Sequence, residues 1–176
     1  QHQGGGVNNP VNPAQRPFSP KIDRSYPTPK LTLPPGACDC HFHFIGPQQQ
    51  FTLKSNHVFS HLEFEDTTFE DWEKMQAGLG LLRGLHVLSM MYEHNYEIAL
   101  HAQNRYGDRI KSVIVPWPHI TDGELDILTK AGVAGYRITW RLTREIDQNM
   151  VARTAERGWT MHYLHRADEA QMDPWK

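Results

Sequence analysis

Short apolar runs alternate along the chain with longer segments in which apolar residues recur every three or four positions. The short runs predict buried strands at 37–45, 84–91, 109–117, 133–140 and 159–165. The longer segments predict amphipathic helices at 68–83, 95–107, 121–132 and 143–158, with a further helix beginning after His165. The chain is therefore expected to be an α/β protein.

From residue 84 onward the predicted strands start every 24 to 26 residues, and each is followed by a loop, a helix and a glycine. Such β/α repeats build a parallel sheet covered by helices, either as a doubly wound open sheet or as a barrel. No glycine-rich phosphate loop follows the first strand, which argues against a dinucleotide-binding fold. A complete (β/α)₈ TIM barrel needs about 250 residues. We therefore expect residues 36–176 to form about five β/α units, the N-terminal part of an incomplete barrel.

Residues 1–35 do not share this pattern, because they hold three consecutive glycines, eight prolines and few apolar side chains. This composition predicts an extended arm. The sequence leaves open whether the arm is a passive tail or covers a neighbouring subunit or one end of a barrel.

The amino-acid composition and net charge restrict the kinds of partner that the chain can bind. Apolar residues make up 39% of the chain and charged residues 22%, as expected for a soluble globular protein. A net charge of −2 provides no basic stripe for a nucleic acid. No apolar run approaches the roughly 18 residues of a membrane span. A small-molecule partner and a possible homo-oligomer remain, and the compartment stays open between the cytoplasm and export after processing.

The stretch "GACDCHFHFIGP" at 36–47 concentrates polar chemistry in the first predicted strand. Because side chains alternate along a strand, we expect Asp39, His41 and His43 to share one face. At the C-terminal end of a barrel strand the two imidazoles would point into the mouth where barrel enzymes work. They could bind a zinc-like ion or act in catalysis; the alternative is that they only fill the strand end.

The same alternation places Cys38 and Cys40 on the other face, beside Phe42 and Phe44. We therefore expect both cysteines to be buried against the helices as small apolar groups. A disulfide between them is not expected, because same-face neighbours on a strand lie at the outer limit of disulfide geometry.

"CDCHFHFIGP", followed by "FTL", resembles the Asp-x-His-x-His-x-x-Gly-Pro opening of the amidohydrolase superfamily. The match is closest to the amidohydrolase-related branch that contains 2-pyrone-4,6-dicarboxylate lactonase. The segments 120–140 and 156–165 resemble the regions around the fourth and fifth strands of that branch. The resemblance covers about 36–170 and implies a barrel hydrolase that opens a small carboxylated lactone or ester with activated water.

The resemblance also implies roles for individual residues. His41 and His43 take the catalytic places on the first strand, and Arg137 takes that of an arginine that grips a substrate carboxylate. Further substrate contacts would come from Ser89, Tyr92, His94 and a second arginine, either Arg141 or Arg144. The residues themselves leave the roles of His119, His162 and His165 open.

Two further implications concern the reaction. The family draws a histidine from strand six and a general-base aspartate from strand eight, and neither strand is predicted here, so we expect the chain to be incomplete and inactive alone. Most of the superfamily binds one or two divalent metals, which would place a Zn or Mn ion on His41 and His43, whereas lactonase-like members resemble a metal-free variant; the resemblance leaves both alternatives open. The alternatives are a metal-dependent decarboxylase of the same superfamily and a non-catalytic half-barrel binding module.

Overall fold

Strands and helices alternate along the chain in the computed structural model, which describes residues 21–57, 59–139 and 146–164. In chain order the elements are β1 (Cys38–Phe42), α1 (Phe69–Leu79), β2 (Arg83–Val87), α2 (Glu97–Tyr106), β3 (Ile110–Ile114), α3 (Asp122–Lys130), β4 (Val133–Thr139), α4 (Gln148–Ala155) and β5 (Thr160–Leu164). This order confirms the predicted β/α repeat. The helix predicted after His165 lies outside the described residues.

The five strands form one parallel sheet with the order β1-β2-β3-β4-β5. Each neighbouring pair is consecutive in sequence, as a right-handed β/α repeat requires. The sheet curls into a half-barrel, so the predicted incomplete TIM-barrel architecture is confirmed. β1 and β5 are its two edges.

Local sequence signals fix the helix ends. Thr68 caps α1 and Thr121 caps α3, each in a reciprocal capping box with an acidic residue three positions later. The helix predicted to reach residue 83 ends earlier, because Gly80 adopts the left-handed conformation with φ of 71°. None of the helices in the described ranges has the length and apolar character that crossing a membrane demands.

The core lies between the sheet and the helices. Phe44, Ile110, Ile114 and Ile138 are almost fully buried on the helix side of the sheet, as the predicted strand pattern requires. Trp72 of α1 stacks on Phe42 with ring centroids 5.0 Å apart. This layer anchors β1 on one face and leaves its other face available for chemistry.

β1 contains a bulge, and the predicted faces of its side chains are therefore partly wrong. The pairing with β2 shifts between Asp39 and Phe42, so both side chains contact α1. Asp39 accepts a hydrogen bond from Gln76 at 3.0 Å and does not share the face of the histidines. Cys38 and Cys40 are unpaired, as expected, but they are exposed and not buried against helices. One extra residue in a strand reverses the alternation that the sequence pattern assumes.

The described part of the N-terminal arm, residues 21–35, has no helix or strand and lies against its own chain. Arg24 forms ion pairs with Glu65 at 2.7 Å and Asp71 at 2.9 Å. Its guanidinium also donates to the Asp66 carbonyl, and Tyr26 donates to Asp71. The arm thus connects the long loop after β1 to the start of α1. Residues 1–20 lie outside the described ranges.

Candidate active site

His41 and His43 lie side by side at the end of β1. Their ring centroids are 5.1 Å apart in an edge-to-face arrangement. Nδ1 of His43 lies 2.5 Å from the Val87 carbonyl oxygen. Because a carbonyl only accepts, Nδ1 carries the proton, and Nε2 of the neutral ring holds a free lone pair. His43 can therefore accept a proton or orient a polar group through Nε2.

The electrostatic environment keeps both rings neutral near pH 7. Burial lowers the pKa of His43, and repulsion from Arg137, and from His41 when that ring is protonated, lowers it further, although the Val87 hydrogen bond opposes them. Burial and Arg137 likewise lower the pKa of His41, while Asp39 raises it. Neutral imidazoles are the form that can accept protons from water or ligate a metal.

Arg137 of β4 is a buried cation, with 6% of its surface exposed. Its Nη1 donates to the Leu88 carbonyl at 3.0 Å, and no carboxylate among the described residues pairs with it. Burial accordingly lowers its pKa. A buried guanidinium with one backbone acceptor has donors left for an anion, which a carboxylate can satisfy through two parallel hydrogen bonds.

A cavity of about 340 Å³ lies beyond the C-terminal ends of β1, β2 and β4. Its polar lining comes from His43, Ser89 and Arg137, so three of the predicted site residues meet there. Among the residues that the structure describes, the remaining lining is apolar and comprises Ile45, Phe59, Leu62, Phe64, Met90 and Met91. The C-terminal end of the strands is where barrel enzymes bind their substrates.

His162 of β5 lies beside Arg137 in the sheet, because the two residues are register partners. Burial lowers the pKa of His162, and repulsion from Arg137, and from His41 when that ring is protonated, lowers it further. The structure therefore adds this histidine to the cluster that includes His41 and Arg137. His119 is exposed on the loop after β3, and His165 lies outside the described residues.

Tyr92 and His94 do not line this cavity. Tyr92 is buried in the core, where its hydroxyl oxygen accepts the N–H of Gly46 at 2.9 Å, and burial raises its pKa to about 12. Nδ1 of His94 donates to the Val115 carbonyl at 3.0 Å, and the ring stacks on Trp117. Both side chains therefore support the loops around the cavity. Arg141 and Arg144 lie outside the described residues.

The described residues do not make up a metal site by themselves. No cluster of three or more histidine, cysteine or acidic side chains able to hold an ion occurs within these ranges. His41 and His43 could supply two nitrogen ligands. The Arg137 guanidinium beside both rings repels a cation, whereas the Asp39 carboxylate beside His41 attracts one. A Zn or Mn ion on this pair would need ligands beyond the two imidazoles.

Two features escaped the sequence pattern. The apolar side of the cavity comes from the long polar loop after β1, in which Phe59, Leu62 and Phe64 are scattered without periodicity. His86 of β2 is fully buried between the rings of Phe42 and Phe44, on the helix side of the sheet. Burial, with a smaller effect from His43, lowers the pKa of His86 to about 3, so it is a neutral core residue.

Comparison with known proteins finds similarity to lactone hydrolases. No model of a known protein family matches the chain. The chain is 25% identical over 148 residues to a 4-sulfomuconolactone hydrolase from Hydrogenophaga intermedia, covering 80% of this chain and 48% of the relative. It is 25% identical over 138 residues to a 2-pyrone-4,6-dicarboxylate hydrolase from Comamonas testosteroni, covering 74% and 44%. The chain thus spans about half the length of these curated relatives.

Among solved structures, the fold is similar to that of a probable 2-pyrone-4,6-dicarboxylic acid hydrolase from Acinetobacter baumannii with citric acid bound. The TM-score is 0.64 at 19% identity, over 72% of this chain and 48% of the other. The similarity concerns the β/α order and the half-barrel, and it covers about half of the Acinetobacter chain. The described residues therefore form a half-barrel whose fold is similar to part of this 2-pyrone-4,6-dicarboxylic acid hydrolase structure.

Proposed function

We propose that this chain contributes the substrate-binding half of a hydrolase that opens a small carboxylated lactone or ester. The observation that carries the proposal is Arg137, a buried cation without a carboxylate partner among the described residues, in the same cavity as His43. The relatives named as lactone hydrolases support the reaction class. Citric acid in the similar Acinetobacter structure supports a site for carboxylates.

In this proposal Arg137 binds the substrate carboxylate and so places the lactone carbonyl near the two imidazoles. A neutral His41 donates an N–H to the carbonyl oxygen, where negative charge develops. Nε2 of His43 accepts a hydrogen bond from the attacking water and orients it. The water oxygen bonds to the carbonyl carbon as the water gives one proton to an acceptor, the ring C–O bond breaks, and the ring oxygen takes the proton back from that acceptor, which leaves a carboxylic acid and a hydroxyl group.

The resemblance assigns the proton acceptor to an aspartate of strand eight, beyond the five strands seen here. The described residues supply the two imidazoles for a reaction in which these rings contact the carbonyl and the water directly. The proton acceptor of that reaction would come from outside the described residues, as would the further ligands that a metal ion would need.

Replacing His43 tests the proposal. We expect His43→Asn to lower kcat for a carboxylated lactone about a hundredfold, because water is no longer oriented by an imidazole nitrogen, with KM little changed. The rate of ring opening is measured in the chain extended by any coding sequence that follows Lys176. His119→Asn, which changes an exposed histidine outside the cavity, is the matched control. Native kcat in His43→Asn would contradict the proposal.

A further inference from the structure

The two cysteines of the chain form a pair at the start of β1, away from the candidate active site. Both thiols are free and exposed, and neither side chain lines the cavity that holds His43. Cys38 and Cys40 flank Asp39, whose carboxylate is turned toward α1 by its hydrogen bond with Gln76. The thiol pair therefore takes no part in the proposed reaction.

The two sulfur atoms lie within reach of each other. Sγ of Cys40 donates to the Cys38 carbonyl at 3.5 Å, and Sγ of Cys38 donates to the Asp39 carbonyl at 3.5 Å. Burial raises the pKa of the Cys38 thiol, and the charge of Cys40 and a hydrogen bond with its side chain raise it further. Both thiols are therefore placed so that a single ligand can contact the two sulfurs together.

A bridging metal ion suits this pair better than a disulfide does. Residues two apart on a strand lie at the outer limit of disulfide geometry, because the S–S bond is only about 2.05 Å long. A metal ion between the sulfurs spans two metal–sulfur bonds of about 2.3 Å each, so the sulfurs can stay up to about 4.6 Å apart. The strand can hold such an ion without moving its backbone.

The surroundings of the thiols favour a monovalent ion. Two thiolates around such an ion carry one net negative charge, and Arg83 is the register partner of Cys38 on β2. The Arg83 guanidinium donates to the Gly36 carbonyl and lowers the pKa of Cys38, so its charge can offset that of the complex. Structural zinc needs four ligands, and in the described ranges no cluster of three or more suitable side chains occurs. Thiolates are soft ligands that select Cu(I).

We propose that Cys38 and Cys40 form a binding site for one monovalent, thiophilic metal ion of the Cu(I) type, held by two sulfur atoms beside Arg83. As the two metal–sulfur bonds form, the two thiol protons pass to solvent, and no electron is transferred. The site lies outside the cavity of the proposed reaction, so the inference goes beyond the proposed function and does not depend on it.

Competition for Cu(I) tests the site. The chain, extended by any coding sequence that follows Lys176, is reduced and titrated without oxygen against the Cu(I) complex of bicinchoninate. We expect the native chain to take up one Cu(I) that neither Cys38→Ser nor Cys40→Ser retains. Each variant should bind this ion more than about a hundredfold less tightly, because removing even an outer partner of a metal ligand costs about 10- to 100-fold. Both thiols are exposed, which favours folding of the variants.

Further measurements separate this site from the neighbouring imidazoles. X-ray absorption of the Cu(I)-loaded chain should show sulfur ligands and no nitrogen from His41. Arg83→Gln should weaken Cu(I) binding severalfold, because the negative complex loses its neighbouring cation. His119→Asn, which changes an exposed histidine on another loop, is the matched control and should bind like the native chain. Native Cu(I) affinity in either cysteine variant, imidazole ligation, or tighter binding of Zn²⁺ than of Cu(I) would overturn the inference.

Discussion

The two nitrogens of His43 have different environments, and this difference determines its chemistry. Nδ1 is held by the Val87 carbonyl, while Nε2 is left for ligands. Strand alternation in the sequence correctly predicted that His41 and His43 would lie together. It was wrong for Asp39, Cys38 and Cys40, because the bulge in β1 depends on pairing with β2 and leaves no mark in the local pattern.

The pKa of His43 is a direct test at this scale. Burial and the charge of Arg137 hold it below the ordinary value of 6.5, so the ring stays neutral until the pH falls below that value. In Arg137→Gln the pKa of His43 should rise, because removing a positive charge favours the protonated ring. NMR titration of the imidazole measures both values.

The control for this titration is Arg153→Gln, which removes an arginine that pairs with Asp122 on the outer helices. It should leave the pKa of His43 unchanged. A His43 pKa above 6.5 in the native chain, or one that Arg137→Gln fails to raise, would show that the guanidinium does not act on this ring.

Secondary structure elements were predicted well where local chemistry determines them. Capping boxes at Thr68 and Thr121 and the left-handed Gly80 define helix ends through contacts a few residues apart. The position of the arm could not be predicted, because Arg24 meets Glu65 and Asp71 across more than forty residues of sequence. Such long-range contacts depend on how the finished elements pack.

The Arg24 contacts should restrain the part of the long loop after β1 that carries Phe59, Leu62 and Phe64. In Arg24→Ala, we expect faster amide hydrogen exchange in residues 59–66, because the ion pair to Glu65 and the bond to the Asp66 carbonyl are lost. The unfolding free energy should change little, as is usual for exposed ion pairs. Hydrogen exchange with mass spectrometry measures the first effect.

Lys111→Ala is the control for the arm, since it breaks another exposed ion pair, with Asp108, far from that loop in the chain. Its exchange over residues 59–66 should match the native chain. If the amides of residues 59–66 exchanged at the same rate in Arg24→Ala and Lys111→Ala, the arm would have no role in holding this part of the loop.

At the scale of the whole molecule, the five strands and four helices of the described residues form an open half-barrel with β1 and β5 at its edges. The regular spacing of strands made this architecture predictable, because each repeat adds one strand and one helix. The cavity was only partly predictable. The β/α repeat predicts the strand ends that carry His43 and Arg137. The positions of Phe59, Leu62 and Phe64 in the lining depend on how an irregular loop packs, which the repeat does not predict.

The central claim is that Arg137 binds the anionic group of a lactone substrate. The measurement that tests it most directly is the ratio of kcat/KM for a carboxylated lactone to that for its neutral methyl ester, in the native and Arg137→Gln proteins. We predict that the native protein prefers the carboxylate roughly ten- to a hundredfold and that Arg137→Gln loses this preference. A variant that still opens lactones and keeps the native preference would contradict the account.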